Sequence, residues 1–204
     1  MDSANQLEKL GITSFSSPGS AISYCFAGTP AIIVDPGFNF GEIADWLEKN
    51  KAEKTIVVLT HSHADHSAGV SDLAEKPGTR LKIFASENAG FSKNDTLENR
   101  FGLDLEGLRA LEKAGAIGKL KDGDKIGNSE FSFTAILTPG HSPSCLALLD
   151  EKKKILASGD SLEGYRDDLP LSSPKDHEES IEKVRTMTDK QKFWRLAGHG
   201  IAHE

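Results

Sequence analysis

The chain has 204 residues, of which 37% are hydrophobic and 27% are charged. This length suits one domain with a substantial core, and the composition is that of a soluble globular protein. The formal charge of −7 disfavours broad electrostatic capture of nucleic acid or of an anionic membrane surface. No apolar run approaches the length of a membrane span. We therefore expect one domain over residues 1–204 whose partner is a small-molecule substrate.

The start of the chain and its cysteines bear on the compartment. The first residues, Met-Asp-Ser-Ala-Asn-Gln, are polar and contain no basic region followed by an apolar one, so we expect no signal peptide. Cys25 and Cys145 are the two cysteines, and two in a chain of this size do not make the disulfide framework of a secreted protein. Both observations predict a cytoplasmic protein.

Three apolar runs in the first third of the chain predict strands. Residues 21–27 and 31–35 are separated by Gly-Thr-Pro, which is a turn signal. Residues 54–59 form a continuous apolar run, which is typical of a strand buried on both faces of a sheet. This third strand leads directly into His61, the first histidine of the chain.

A helix is predicted between the second and third of these strands. It begins at Asn39, because Glu42 follows at the spacing of a capping box, with asparagine in place of the usual serine or threonine. Ile43, Trp46 and Leu47 recur at helical spacing and form an apolar stripe. This stripe is the face that such a helix buries.

A less regular segment follows a short helix and a strand. The helix is predicted over residues 67–75 and the strand over residues 81–84. In the segment 86–116, only the second half has helical spacing, with Asp104 as the expected cap and Gly115 as the stop. Such a segment is either a lid that shapes a pocket or a packed connection, and we favour the lid.

The second half of the chain returns to strands, with one further helix. Four apolar runs predict strands, at residues 131–137, 145–149, 154–157 and 193–197. A helix is predicted from Ser173, because Pro174 would occupy its first position. Its residues Ile181, Val184 and Met187 are expected to face the core. Both halves place strands before a helix, which hints at a duplicated αβ/βα layout.

The most informative stretch lies directly after the third predicted strand. Residues 60–66, Thr-His-Ser-His-Ala-Asp-His, contain three of the seven histidines and a carboxylate. Imidazole and carboxylate are the side chains that zinc and similar divalent metals prefer in catalytic sites. In extended backbone His61 and His63 point to the same side, because side chains alternate. Asp65 and His66 can face a second point, so one loop can supply ligands to two adjacent ions.

Several predicted strands end in a potential metal ligand. These ligands are His61, His141, Asp160 and His199. A rigid sheet positions the loops that converge at its strand ends, which is where ligands gather. With the rest of the cluster, the candidates total five histidines and two aspartates. That number is too large for one tetrahedral ion and suits two ions that share a carboxylate. His177 and His203 lie outside this pattern, and we expect them to be solvated.

These motifs resemble those of the metallo-β-lactamase superfamily, whose members are four-layer αβ/βα sandwiches of the α/β class. The resemblance extends over nearly the whole chain, from about residue 12 to residue 200. It rests on His-x-His-x-Asp-His from residue 61, supported by Thr-Pro-Gly-His ending at 141, Ser-Gly-Asp ending at 160 and Gly-His-Gly around 199. The motifs follow one another in the order of the family.

The resemblance divides the candidate ligands between two metal ions. The residues that it implies for the first ion are His61, His63 and His141. The residues that it implies for the second ion are Asp65, His66 and His199. Asp160 would bridge the two ions. The metals are expected to be zinc, with iron or manganese as alternatives.

Among the branches of the superfamily, the chain is similar to glyoxalase II-like hydrolases, which open thioesters, and to related lactonases. Glyoxalase II enzymes carry a C-terminal helical region that helps to bind glutathione, whereas this sequence ends five residues after His199. This difference disfavours a glutathione thioester as substrate. Tyr165 lies in the neighbourhood where the lactonases use a tyrosine. The flavodiiron branch has glutamate in place of His63, which disfavours reduction of oxygen or nitric oxide.

The resemblance implies a hydrolytic mechanism. Two divalent metals would hold a bridging water and lower its pKa toward about 7, so that hydroxide attacks an ester, thioester or lactone carbonyl. One metal would polarise the carbonyl oxygen and stabilise the oxyanion. Asp65 is the candidate catalytic residue, because it is best placed to accept and relay a proton.

Other functions of the same fold remain open. Persulfide dioxygenases share it and use one iron, held by the counterparts of His61, His141 and Asp160, so this chain could be an oxidoreductase of that kind. A non-catalytic metal-binding module is a further alternative, although no candidate ligand is missing. A nuclease or phosphodiesterase is disfavoured by the acidity of the chain and by its size.

Overall fold

The strands of the computed structural model, which describes residues 3–78, 80–163, 166–188 and 191–203, form two six-stranded sheets. The first sheet consists of β1 Ile12–Phe15, β2 Ser23–Phe26, β3 Ala31–Val34, β4 Lys54–Val58, β5 Arg80–Ser86 and β6 Ile117–Leu120. The strands lie in chain order, antiparallel from β1 to β3 and parallel from β3 to β6. The parallel strands therefore bring their carboxyl ends to one edge.

The second sheet is mainly antiparallel. It consists of β7 Lys125–Gly127, β8 Ser132–Leu137, β9 Leu146–Asp150, β10 Ile155–Gly159, β11 Trp194–Ala197 and β12 Gly200–His203. Its spatial order is β12-β11-β10-β9-β8-β7, and β10 and β11 are its parallel pair. Because β10 and β11 run the same way, the ligands that follow them leave the sheet on the same side.

A hydrophobic core lies between the two sheets and receives alternate residues from each strand. In β4, Ile56 and Val58 face this core, whereas Val57 faces the helices on the other side of the sheet. β4 is therefore buried on both faces, as its continuous apolar sequence predicts. The ring of Phe26 lies 5.1 Å from the rings of Phe131 and Phe133 in edge-to-face contacts across the core.

Helices flank the two sheets. They are α1 Ser3–Lys9, α2 Phe40–Lys49, α3 Ala64–Ser67, α4 Val70–Glu75, α5 Lys93–Thr96, α6 Glu98–Phe101, α7 Glu106–Lys113 and α8 Pro174–Thr188. Residues of α2, α4 and α7 pack on the first sheet, and α8 packs on the second. The predicted αβ/βα layers are thus confirmed. Within the described chain, no helix is both long enough and apolar enough to cross a bilayer.

The segment 86–116 contains three short helices, α5, α6 and α7. Its side chains Phe91, Leu97 and Leu108 are buried. α7 packs against α4, and α6 packs against α3, the helix that follows the first histidines. The segment therefore adjoins the candidate ligands, and its motion as a lid stays a prediction. At the start of α7, the Asp104 carboxylate accepts a hydrogen bond from the Glu106 backbone N–H at 3.1 Å.

The start of α2 differs from the predicted capping box. Asn39 precedes the helix, but its side chain makes no capping hydrogen bond. Its Nδ2 donates instead to Ser23 Oγ at 2.7 Å and to the Ala21 carbonyl oxygen at 3.0 Å. The amide is buried, so its Nδ2 must find partners away from water, and Ala21 and the first residue of β2 supply them. Asn39 thus ties the helix to the first sheet.

The inward face of α8 also differs from the prediction. Met187 was expected to face the core, yet its side chain is 39% exposed. The buried residues of α8 are His177, Ser180 and Val184. Val184 belongs to the hydrophobic cluster between α8 and the second sheet. Among the described residues, none from the last turn of α8 belongs to this cluster, so Met187 lies beyond the apolar surface that the helix covers.

Candidate metal centre

The strand ends that carry candidate ligands meet at one edge of the two sheets. β4 leads to His61, β8 to His141, β10 to Asp160 and β11 to His199. Backbone hydrogen bonds join the sheets at this edge: the Leu146 N–H donates to the Thr60 carbonyl at 2.8 Å, and the Ile22 N–H donates to the Gly198 carbonyl at 2.7 Å. The position of each ligand is therefore set by the packing of the sheets rather than by a free loop.

We call His61, His63 and His141 the first donor group. His63 Nδ1 lies 2.9 Å from His61 Nε2 and 3.2 Å from His141 Nε2. All three side chains are buried. One ring nitrogen from each lies within 4.8 Å of the others, which is the spacing that ligands of one metal ion require. His61 and His63 face the same point, as their alternation in the sequence predicts.

We call Asp65, His66 and His199 the second donor group. Asp65 Oδ2 lies 3.5 Å from His199 Nε2 and 3.9 Å from His66 Nε2. Asp65 and His66 both lie in α3, whose first turn begins directly after His63. His199 is the most open ligand, because its side chain is 45% exposed. The group thus meets solvent on one side.

Asp160 lies between the two donor groups. Its Oδ1 is 3.3 Å from His66 Nε2, and its Oδ2 is 3.5 Å from both His141 Nε2 and His199 Nε2. One carboxylate therefore reaches a member of each group, which is the placement that a bridging ligand needs. The structure brings together all seven residues predicted for the site; that they hold metal stays a prediction.

The histidines of the first donor group are neutral at pH 7. Burial lowers the pKa of His63 to about 3. Burial, with the neighbouring imidazoles, also holds the pKa of His61 well below 6.5 and lowers that of His141. A neutral imidazole keeps the lone pair that a metal needs, so this group is prepared to bind a cation without losing protons.

The second donor group is charged. Burial opposes ionisation of Asp160, but the charges of His66 and His199 outweigh it and hold the Asp160 pKa well below its usual value. The same balance lowers the pKa of Asp65. Hydrogen bonds to Asp160 and Asp65 raise the pKa of His199 to about 10. For His66, burial is outweighed by the carboxylates of Asp160 and Asp35, so its pKa lies well above 6.5.

The donor set fits divalent metal ions. His66 Nε2 and Asp160 Oδ1 are buried and form an ion pair at 3.3 Å, but neither makes a hydrogen bond of good geometry to any described residue. Buried polar atoms in folded proteins normally have such partners, so both atoms are free to accept a further ligand. Imidazole and carboxylate are the donors that zinc and related ions take. The fold and this cluster together imply divalent metal binding.

Asp35 is a site residue that the sequence analysis missed. It follows β3 and has a φ of 52°, which is rare for a residue other than glycine. Its Oδ1 accepts a hydrogen bond from the Thr60 backbone N–H at 2.7 Å, and its Oδ2 accepts one from Thr60 Oγ1 at 2.6 Å. His66 Nδ1 lies 2.8 Å from the same Oδ2. Asp35 thus fixes the ring of His66 so that Nε2 faces the site.

Glycines keep space beside the ligands. A β-carbon added at Gly198 would collide with Asp160 Oδ1 and would lie 2.6 Å from His66 Cε1. Gly159 has a φ of 50°, and a β-carbon there would collide with Thr60 Oγ1. The glycines of the Ser-Gly-Asp and Gly-His-Gly motifs are therefore needed because backbone and ligands approach closely.

The remaining residues considered from the sequence have other positions. The expectation that His177 is solvated is wrong: it is buried in α8, and a β-carbon at Gly140 would lie 2.5 Å from its backbone nitrogen. The first turn of α8 thus packs on the turn before His141. Cys25 and Cys145 are free and buried, and Cys145 precedes β9 as expected of a core residue. Tyr165 and the side chain of His203 lie outside the described residues.

The sequence matches a family model described as the metallo-beta-lactamase superfamily over residues 18–199. An uncharacterized protein of Aquifex aeolicus is 31% identical over 160 residues, covering 76% of this chain and 72% of that protein. Hydroxyacylglutathione hydrolase 1 of Vibrio vulnificus is 28% identical and covers 83% of this chain. This chain spans 58% of the length of that enzyme. Hydroxyacylglutathione hydrolase GloC of Haemophilus influenzae is 29% identical, over 83% of this chain and 80% of that one.

Solved structures share the fold. BLEG-1, described as a B3 metallo-beta-lactamase, superposes with a TM-score of 0.69 at 21% identity, over 94% of this chain and 93% of that one. TTHA1623, solved in a di-iron-bound form, gives a TM-score of 0.67 at 22% identity, over 93% of this chain and 91% of that one. At these identities the likeness establishes the arrangement of the sheets and helices.

Proposed function

Because this chain belongs to the metallo-beta-lactamase superfamily, we propose that it is a hydrolase that uses two divalent metal ions, zinc in the first place, to open an ester, thioester or lactone. The observation that carries the proposal is the convergence of two donor groups on the shared carboxylate of Asp160. Relatives named hydroxyacylglutathione hydrolase support a hydrolytic reaction.

The residues of the two donor groups would hold the ions, with Asp160 between them. When bound, such ions make hydroxide available near neutral pH and polarise a carbonyl oxygen. The neutral imidazoles of the first donor group offer lone pairs within a buried pocket. Asp35 accepts the Nδ1–H of His66, so that Nε2 faces the site. These groups orient the centre before the substrate arrives.

Asp65 is the residue that we propose to move a proton. Its carboxylate is ionised at neutral pH, since its pKa is lowered, and an ionised carboxylate at this position can accept the proton that nucleophilic attack releases. Its Oδ2 lies 3.5 Å from His199 Nε2, at the side of the centre that solvent reaches. A proton accepted there can pass to the leaving group or to water.

The first test of this proposal is metal content and hydrolysis in the same preparation. We expect about two zinc ions per chain, measured by elemental mass spectrometry on protein purified without chelator. The preparation should hydrolyse members of a panel of short esters, thioesters and lactones, and chelation should abolish that activity. If the protein contains about one iron ion per chain and consumes oxygen in the presence of a persulfide, the mono-iron oxidoreductase is favoured instead.

A pair of variants tests the role of Asp65. Asp65→Asn should lower kcat/KM about a hundredfold or more, because it removes the proton acceptor and a ligand. Asp72→Asn is the matched control, since Asp72 is an exposed aspartate on the neighbouring helix α4. Full activity of Asp65→Asn would refute the assignment. A metal-loaded protein that hydrolyses nothing in the panel would support a binding module.

A further inference from the structure

Two exposed apolar side chains belong to segments next to the candidate metal centre. Among the described residues, three large apolar side chains are exposed: Phe101 at 37%, Leu171 at 55% and Met187 at 39%. Single exposed apolar residues are common on protein surfaces and need no explanation. Exposed apolar side chains next to a candidate metal centre are of more interest, because apolar surface beside such a centre is where ligands bind. Phe101 and Leu171 both belong to segments that border the donor groups.

Phe101 borders the second donor group. It is the last residue of α6, which packs against α3, the helix that carries Asp65 and His66. Its ring lies 5.9 Å from the ring of Phe38 in an edge-to-face contact. The residue before Phe38, Gly37, donates its backbone N–H to the His66 carbonyl at 2.9 Å. The aromatic pair is therefore tied to the backbone of the ligand helix.

Leu171 borders the first donor group. It lines the same narrow crevice as the ligand His63, together with Ser142 and Pro170. Its φ is 65°, a conformation that a bulky aliphatic residue rarely adopts. The backbone therefore holds an exposed leucine beside a buried histidine, at a position where asparagine or glycine would be easier to place.

Ion pairs connect the two borders. Arg100, next to Phe101, donates to the Asp168 carbonyl oxygen at 2.6 Å and lies 3.3 Å from the Asp168 carboxylate. Arg166 Nη2 lies 2.9 Å from the same carboxylate. Asp168 thus joins α6 to the loop that carries Leu171. The segments that carry Phe101 and Leu171 are therefore linked to each other beside the centre.

We propose that Phe38, Phe101 and Leu171 form an apolar rim that binds a hydrocarbon group of the substrate, next to the carbonyl that the centre attacks. This inference rests on the proposed hydrolase function and names its substrate class: an ester, thioester or lactone with an aliphatic or aromatic group of several carbons. Small polar acyl compounds would leave the rim in water. The rim would favour the larger substrate through the apolar surface that it covers.

Binding measurements test the rim without requiring turnover. The metal-loaded full chain is titrated with acetate, butanoate, hexanoate and octanoate in a calorimeter. The carboxylate of each acid should bind at the metal centre, which places the hydrocarbon chain of the acid on the rim. Complete burial of a methylene tightens binding about fourfold, and on a half-exposed rim we expect about twofold per methylene. Activity is measured in parallel with thioesters of the same acids on one polar thiol, where kcat/KM should rise with chain length.

Two variants remove the rim while leaving the ligands intact. Phe101→Ala deletes an exposed ring, and Leu171→Asn replaces the leucine with a residue that tolerates its positive φ. Each should weaken octanoate binding about fivefold and change acetate binding less than twofold. Met187→Ala is the matched control, because Met187 is similarly exposed but lies in the last turn of α8.

The outcomes separate the rim from the hydrolase proposal. Octanoate binding that weakens in the two rim variants but not in Met187→Ala supports the rim, even if no thioester is hydrolysed and the hydrolase proposal fails. Hydrolysis with the same kcat/KM for acetyl and octanoyl thioesters, together with Kd values that do not change with chain length, overturns the rim and leaves the hydrolase standing. Chain-length dependence that persists unchanged in both rim variants also overturns it.

Discussion

The two donor groups of the candidate centre differ in the charge of their side chains. The first consists of buried imidazoles whose pKa values burial lowers, so it is neutral at pH 7. The second combines ionised carboxylates with His66 and His199, whose pKa values those carboxylates raise. The first depends on sheet packing for its geometry, whereas the second also depends on charge pairing and on Asp35. The same divalent ion would therefore meet two different environments.

Gly198→Ala should have the largest effect, because it disturbs the carboxylate that both groups share. The added β-carbon would collide with Asp160 Oδ1, and a displacement of about 1 Å at a reacting centre costs about a hundredfold in kcat/KM. Elemental analysis should show loss of metal from both donor groups. Gly200→Ala is the control, since a β-carbon there has no described atom within 4 Å. Two tightly bound ions and full activity in Gly198→Ala would contradict this geometry.

Asp35→Asn should act on the second donor group alone. The amide can still contact Thr60, but it loses the charge that orients His66 and stabilises its Nδ1–H. Loss of such a supporting carboxylate lowers metal affinity about tenfold to a hundredfold. A zinc titration with a competing chelator should show one ion bound as tightly as in the wild type and one bound more weakly. Equal weakening of both ions would show that the groups are not independent.

The pH dependence of metal affinity should also differ between the two donor groups. Because the pKa of His199 is about 10 and that of His66 is raised, a metal entering the second group must displace protons at neutral pH. Affinity there should rise with pH up to about 10. Affinity at the first group should stay flat above pH 7, since its histidines are already neutral. Calorimetry in buffers of different ionisation enthalpy counts the protons released per ion; equal release at both groups would contradict the comparison.

Glu98→Gln should have the smallest effect on the centre and should act on stability instead. Glu98 is buried in α6, and its carboxylate accepts hydrogen bonds from Arg109 at 2.6 Å and from the Leu105 N–H at 3.0 Å. Burial opposes its ionisation, but these bonds outweigh burial and lower the Glu98 pKa. The substitution should cost about 2 kcal/mol of unfolding free energy at pH 7. Metal affinity at both groups should stay within twofold of the wild type.

The sign of the pH dependence at Glu98 follows from its lowered pKa. The stabilisation is fully present above about pH 4.5, the value for an unfolded glutamate, and is lost as pH falls through the lower folded pKa. Urea unfolding at pH 7 and near pH 3 should therefore show the difference between wild type and Glu98→Gln shrinking in acid. Glu106→Gln, an exposed glutamate on α7, is the control and should change stability by less than about 0.5 kcal/mol. A difference that grows in acid would contradict the ionised state of Glu98.

Several features of the fold could be predicted because local sequence and burial agree. The continuous apolar run in β4 predicts a strand buried on both faces, and all of its residues after the exposed Lys54 are buried as expected. The stripe of Ile43, Trp46 and Leu47 in α2 packs on the first sheet. α1, β7 and β12 were not predicted, since short elements with few apolar residues carry little periodicity. The predictions for Met187 and His177 in α8 were wrong because helical spacing identifies one face of a helix but does not show how far the surface that it packs against extends.

The sequence by itself determined the residue types of the candidate centre and the loops that carry them. His61, His63, Asp65 and His66 are recognisable because they stand within a few residues of one another, and their chemistry suits one kind of ligand. Only the tertiary structure decided how far Asp160 lies from each group, that Asp35 supports His66, and that Leu171 lines the same crevice as His63. These relations join residues far apart in the chain, and their distances and pKa values depend on how two sheets pack. Spacing along one strand cannot specify them.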